Sequence, residues 1–428
     1  MRVFPCPRLC VRVILVATGI LSVAVTRRAE PANSTAPSET RLPPHLARLG
    51  VESWHRAGVR GAGVKVAIID SGFRGYREHL GKDLPQRIAV QSFHLGGNLE
   101  ARDSDHGILC ADIIHAIAPD AELLFANWEP DRPETFIEAA NWCRREGARI
   151  VNCSVIVPAW SDGEGGGAVH AALSKMVGAG CQRGDLLAVA CAGNLAQRHW
   201  SGPFHDNLSG YHVWAPGRIE NVVTPWHDEL ISIELCCKPG ATFALELLDP
   251  GSRKQVGVSR SHRGADRATV TVRLMPEPGH TYRLRIRLTD GKPCAFHLVA
   301  LGSWLDDYTT PGSIPFPGDG AEWLTVGAVE ADGKRAEYSS CGPNSHRPKP
   351  DLVAPVPFPT ASRSTPFTGT SAAAPQVAAL AALIWSRHPE WTAEKVQAFL
   401  CQSCRDLGPP GHDAETGFGL VHLPDKLP

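Results

Sequence analysis

Residues 64–72 read VKVAIIDSG, residues 107–119 GILCADIIHAIAP and residues 121–126 AELLFA, and this succession decides the fold. The first is a β-branched apolar run that stops at Asp-Ser-Gly. The second repeats its apolar residues at helical spacing and stops at Pro119, and the third is another apolar run. Strand, helix and strand in that order make a parallel crossover, and a parallel sheet must be covered on both faces. Working outward, the alternation continues with a helix over 133–146, a strand over 149–155, a helix over 168–177 and a strand over 186–192. The expected fold class is therefore α/β, a doubly wound, mostly parallel sheet whose chemistry gathers at the carboxyl ends of the strands.

The period changes between residues 225 and 302. Short alternating runs at 230–235, 242–248, 268–274, 281–288 and 294–301 are separated by Pro-Gly, Asp-Pro-Gly and Asp-Gly turns, with no helix between them. They read as an inserted all-β module, sandwich-like or a jelly roll. The α/β pattern resumes with WLTVGAV (323–329), and QVAALAALIWS (376–386) is apolar on every face, the mark of a buried central helix. The α/β domain thus spans 46–224 and 303–428, interrupted by 225–302.

Arg2, Arg8 and Arg12 precede an uncharged run, Val13 to Val25, which is signal-peptide architecture over residues 1–26. The run is short for a bilayer span, so a membrane enters only if this segment stays uncleaved as an anchor. The expected location is secreted or periplasmic. Residues 27–45 are rich in Pro, Ser and Thr and read as a flexible linker. The 43 Lys and Arg balance 44 Asp and Glu, leaving no field to recruit nucleic acid. With 41 glycines and 35 prolines in 428 residues, a long helical bundle is excluded. Of 13 cysteines, Cys6 and Cys10 fall in the leader, and the remaining odd number leaves at least one without an intramolecular partner. Cys401 and Cys404 form a CxxC, but no second pair follows at zinc-site spacing, so no metal is assigned.

Three residues stand out against this frame. Asp70 closes the first strand, His106 opens a helix in DHG, and Ser371 begins the all-apolar helix in GTSAAAP. A serine hydroxyl is a weak nucleophile until an imidazole takes its proton, and a carboxylate must hold that imidazole in the right tautomer. Asp, His and Ser in this order, each at a strand end or helix start, supply those three parts. Pro375 is expected in the first turn of its helix, where a missing N–H does little harm.

On these motifs the chain resembles the subtilases, the subtilisin-like serine proteases. GTSAAAPQVAALAAL (369–383) carries the serine, IIDSGF the aspartate, and CAGN puts Asn194 at the family's oxyanion-hole position. IAPDAEL (117–123), TVGAV (325–329), YSSCGP (338–343), KPDLVAP (349–355) and TGFGLVHL (416–423) are further landmarks. The resemblance implies a serine endopeptidase acting on peptide or protein substrates through an acyl-enzyme. Asp70, His106 and Ser371 would be catalytic and Asn194 would complete the oxyanion hole. No cofactor is identified, and the loop calcium sites the family often carries are not legible in a sequence.

The departures concern substrate. The helix motif after His106-Gly107 reads ILCAD where the family has a second His and a final Gly, and Asp112 has no evident partner. The substrate-binding segment, glycine-rich in the family, reads Ser154-Val155-Ile156 here. Stiff branched side chains in that wall imply a narrow groove and small P1 residues. The alternatives are an inactive subtilase-like binding protein, and a processing protease or peptidyl transferase.

Overall fold

The computed structural model describes residues 43–226, 229–263, 267–344 and 347–427. The signal segment and all but the last three positions of the linker lie outside them. Five strands come first: β1 (Lys65–Ile69), β2 (Ala89–Phe93), β3 (Glu122–Trp128), β4 (Ile150–Cys153) and β5 (Leu187–Cys191). Then follow β6 (His199–Pro203), β7 (Asn221–Pro225), β8 (Ile231–Cys237), β9 (Ala241–Leu248), β10 (Val258–Arg263), β11 (Ala268–Leu274), β12 (Tyr282–Gly291), β13 (Ala295–Leu301) and β14 (Ser303–Leu305). The last two are β15 (Trp323–Val329) and β16 (Leu352–Pro355). The helices are α1 (Pro44–Ala47), α2 (Val51–Arg56), α3 (Tyr76–His79), α4 (His106–Ile117), α5 (Pro133–Arg145), α6 (Ala168–Val177), α7 (Thr370–Arg387) and α8 (Ala393–Gln402).

Seven strands form one parallel sheet in the order β16-β15-β5-β4-β1-β3-β2. Strand β1 shows why it is double-layered. Val66 and Ile68 point into a core shared with α4 and α7, while Ala67 and Ile69 point into one shared with α5 and α6. Successive side chains of a strand face opposite ways, so an unbroken apolar run is satisfied only by helices on both sides. Each fully buried Val or Ile contributes about 1.5–3 kcal/mol. The edge strand β2 was not expected from sequence, because its AVQSF is largely exposed and lacks the apolar run. The chain winds from β1 to β3 and β2 on one side and to β4 and β5 on the other. The crevice between the carboxyl ends of β1 and β4 is therefore the topological switch point.

The remaining nine strands make two antiparallel sheets, β10-β11-β8-β13-β6 and β14-β7-β12-β9. Ile233, Leu235, Val270 and Leu298 of the first share a core with Leu245, Leu247, Leu284 and Ile286 of the second. Strand β9 and the first half of β12 alternate buried with half-buried residues, as strands with one face on a core must. These sheets recruit β6 and β7 from before residue 225 and β14 from after 302, so the antiparallel region runs from His199 to Leu305.

Helix α7 starts at Thr370, and this corrects the reading of Pro375, which lies inside the helix, past its first turn. There its missing N–H matters, because the carbonyl of Ser371, four residues back, loses its helical donor.

Candidate active site

Asp70 follows β1 and takes one more ladder bond, its N–H donating to the Ala126 carbonyl at 3.1 Å. The residue is fully buried, and a carboxyl group out of water requires donors. The Gly72 N–H lies 3.3 Å from Oδ1, and His106 Nδ1 lies 3.0 Å from Oδ1 and 2.8 Å from Oδ2. A neutral imidazole whose Nδ1–H is held by a carboxylate presents a lone pair on Nε2. His106 is the first residue of α4, and the glycine beside it is required. A Cβ on Gly107 would come within 2.5 Å of the Phe73 ring and 2.7 Å of the Gly72 carbonyl. Burial alone would lower the His106 pKa, but the charge and hydrogen bond of Asp70 outweigh it and hold the ring above 6.5. The edge of Phe367 meets the ring at 5.4 Å.

Ser371 is the second residue of α7, where the backbone N–H groups have no helical acceptor. Its hydroxyl donates to the Ser154 carbonyl at 3.0 Å. In return the Ser154 hydroxyl donates to the Ser371 carbonyl at 3.2 Å, and Cys110 Sγ lies 3.6 Å from that same oxygen. These two side chains supply the donors that Pro375 withholds. Asn194 follows β5, and its Oδ1 accepts from the Thr370 N–H at 3.0 Å and the Thr370 hydroxyl at 2.9 Å. The amide is thereby oriented, and among the described residues Nδ2 has no hydrogen bond. Gly369, at φ 92°, brings the backbone so close that a Cβ would lie 3.0 Å from Nδ2.

His106, Ser371, Asn194, Ser154, Val155 and Ile156 all line one cavity of about 600 Å³. Past the end of β4, Val155 packs toward the α5/α6 core and Ile156 toward the α4/α7 core. The antiparallel region supplies Glu234, Thr271, Arg273 and Leu301 to the same cavity, a contribution that strand alternation alone does not reveal. The partner of Asp112 lies far off in the sequence. Asp112 is buried, and its Oδ2 accepts the Ser362 N–H at 2.7 Å, tying α4 to the loop that carries Phe367. Burial, against the Ser362 hydrogen bonds, raises its carboxyl above the ordinary range.

Asp70, His106 and Cys110 place ligand-type atoms within 4.8 Å of one another. Asp70 and His106 are already engaged with each other, and burial raises the Cys110 thiol well above its ordinary value. A thiol that stays protonated is a poor metal ligand. Among the described residues no helix is long and apolar enough to cross a membrane.

The arrangement can do one kind of chemistry well: an imidazole poised to accept a proton stands in the same cavity as a hydroxyl, a free amide N–H₂ and the start of a helix. The chain is 35% identical over 99 residues to a thermostable alkaline protease of Halalkalibacterium halodurans, covering 23% of this chain and 26% of that protein. It is 33% identical over 111 residues to subtilisin E of Bacillus subtilis, covering 26% of this chain and 28% of that protein. The aligned part is thus about a quarter of these relatives' length. Over the whole fold it is similar to the CspB protease of Clostridium perfringens, with a TM-score of 0.61 and 15% identity across 88% of this chain and 96% of that one. The Subtilase family profile matches residues 61–224 and 295–419 and passes over most of the antiparallel region. With more than half of its length matched on both sides of that region, the chain belongs to the subtilase family.

Proposed function

We propose that this chain is an exported serine endopeptidase that hydrolyses peptide bonds through an acyl-enzyme on Ser371. Asp70 fixes the His106 tautomer, and His106 Nε2 takes the serine proton and later returns it to the leaving amine. The Asn194 Nδ2 and the Ser371 N–H receive the oxyanion. The observation that carries this reading is the contact of His106 Nδ1 with a fully buried Asp70 at 2.8 Å, in the cavity that also holds Ser371 and Asn194. Export rests on the Arg-flanked apolar run before residue 26. A fluorophosphonate should label Ser371, and Ser371→Ala should lose hydrolysis by about a million-fold, as the corresponding change does in subtilisin. A Ser371→Ala variant that cleaves peptides at the parental rate would sink the assignment.

One observation favours a second reading, an inactive binding protein: the Ser371 hydroxyl donates to Ser154 rather than to His106. In an active enzyme it must rotate toward Nε2 when substrate arrives. Absence of labelling decides for the second reading. A third, peptidyl transfer or dedicated processing, shares the same acyl-enzyme, and product mass separates hydrolysis from transfer.

A further inference from the structure

A second cavity, of about 800 Å³, adjoins the first at Asn194 and Arg198. Gly369 and Tyr338 form one side, and Trp226 and Trp304 of the antiparallel region form the other. The two indoles stand 5.1 Å apart at 56°, Trp304 is 41% exposed, and the buried Trp226 Nε1 has no acceptor among the described residues. Arg198 is only 7% exposed, and its guanidinium lies 4.1 Å from the Trp226 ring centroid. Its Nε donates to the Asn194 carbonyl at 3.0 Å, a bond shared by Nη2. The tryptophan wall is thus mechanically joined to the residue beside the reacting serine.

Two adjacent indoles, one of them 41% exposed at the cavity wall, leave apolar surface in water that an apolar side chain would cover. An extended peptide offers such a side chain. If Ser371 attacks a peptide carbonyl held at Asn194, and the acyl half lies along Ser154–Val157, the cavity beyond Asn194 is left for the other half. We infer that the Trp226–Trp304 cavity binds the leaving half of the substrate and selects a large apolar side chain within the first two residues after the cleaved bond. This rests on the reading of Ser371 as nucleophile.

The test uses peptides identical up to the cleaved bond that carry Leu, Phe or Gly at each of the next two positions. The parent protein should favour Leu or Phe over Gly in kcat/KM by about tenfold or more, the range an apolar pocket delivers. Trp304→Ala should bring that ratio close to one, and Trp304→Phe should restore most of it. No preference in the parent, or an equal preference in Trp304→Ala, overturns the inference. Fluorophosphonate labelling accompanies every sample. Labelled protein with a flat ratio overturns the subsite alone, whereas a parent that neither labels nor cleaves overturns the Ser371 reading and the subsite with it.

Discussion

Ser154 and Ser371 hold each other by two reciprocal hydrogen bonds, hydroxyl to carbonyl in each direction, at 3.0 and 3.2 Å. Ser154 directly follows strand β4 and Ser371 is the second residue of helix α7, so the pair ties strand to helix at the floor of the crevice. Its origin is Pro375, which cannot donate to the Ser371 carbonyl. Ser154→Ala should therefore leave a buried carbonyl short of its best donor and lower stability by about 1–3 kcal/mol. In a Pro375→Ala background, where the helix can supply its own N–H, the same change should cost less. Urea unfolding of the four proteins in this cycle measures the difference, and equal losses in both backgrounds would show that Pro375 is not the cause.

The pH dependence follows from His106. Its pKa is raised above 6.5 by Asp70 against the effect of burial, and only the neutral ring accepts a proton. Activity should rise with pH through a midpoint above 6.5. The sign for stability is opposite: the ion pair contributes fully below 6.5 and is lost as pH climbs through the raised value. Asp70→Asn removes the charge and leaves burial in control, so the midpoint should fall below 6.5 while kcat drops about 10⁴-fold. A pH–rate profile of both proteins checks this, and a parental midpoint at or below 6.5 would contradict it.

Val155 and Ile156 line the cavity that would receive the P1 side chain. A Phe or Tyr there overpacks against them, at about 1–3 kcal/mol or roughly 5- to 150-fold in rate. Small P1 residues such as Ala or Ser should be cleaved faster than aromatic ones, and Ile156→Gly should narrow the gap. Aromatic P1 cleaved faster than Ala in the parent would mean that neither side chain closes the pocket.

Asp112 anchors the Ser362 backbone. Asp112→Ala should free the loop carrying Phe367, lowering stability by about 1–3 kcal/mol and reducing kcat more than it raises KM, while Asp112→Asn should retain most of both. An unchanged unfolding midpoint in Asp112→Ala would refute the anchor.

The antiparallel sheets should fold alone only if cut where their strands end. Residues 197–307 include β6, β7 and β14, whereas 225–302 strips β12 and β13 of one neighbour each. Far-UV circular dichroism and urea melts should show cooperative β structure in the longer fragment only. A shorter fragment that melts cooperatively would prove β6, β7 and β14 dispensable.

Much of this was legible in the residues. Uniformly apolar runs such as β1 and α7 announce themselves because burial on all sides tolerates nothing else. Asp70, His106 and Ser371 stand out in the sequence because each sits at a strand end or helix start in a distinctive motif, and the structure puts Asp70 against His106 and puts His106 and Ser371 in one cavity. What stayed hidden depends on chain segments far apart in sequence. Ser154 lines the cavity, and its bond to Ser371 spans 217 positions. Asp112 reaches Ser362 across 250. Glu234, Trp226 and Trp304 enter the two cavities only because the antiparallel sheets face the crevice, and nothing in a strand's alternation says which way a whole sheet will face.

Helix α7 is an 18-residue rod with 15 residues buried, and Ser371 is mounted at its tip. Amide protons along the buried length of such a rod, past the first turn whose N–H groups have no helical acceptor, exchange only when the whole molecule opens, so the proposed nucleophile stands at the end of a rigid mount. Adaptation to different substrates then falls to the surrounding loops and to the antiparallel region, which can change their sequence without moving the serine.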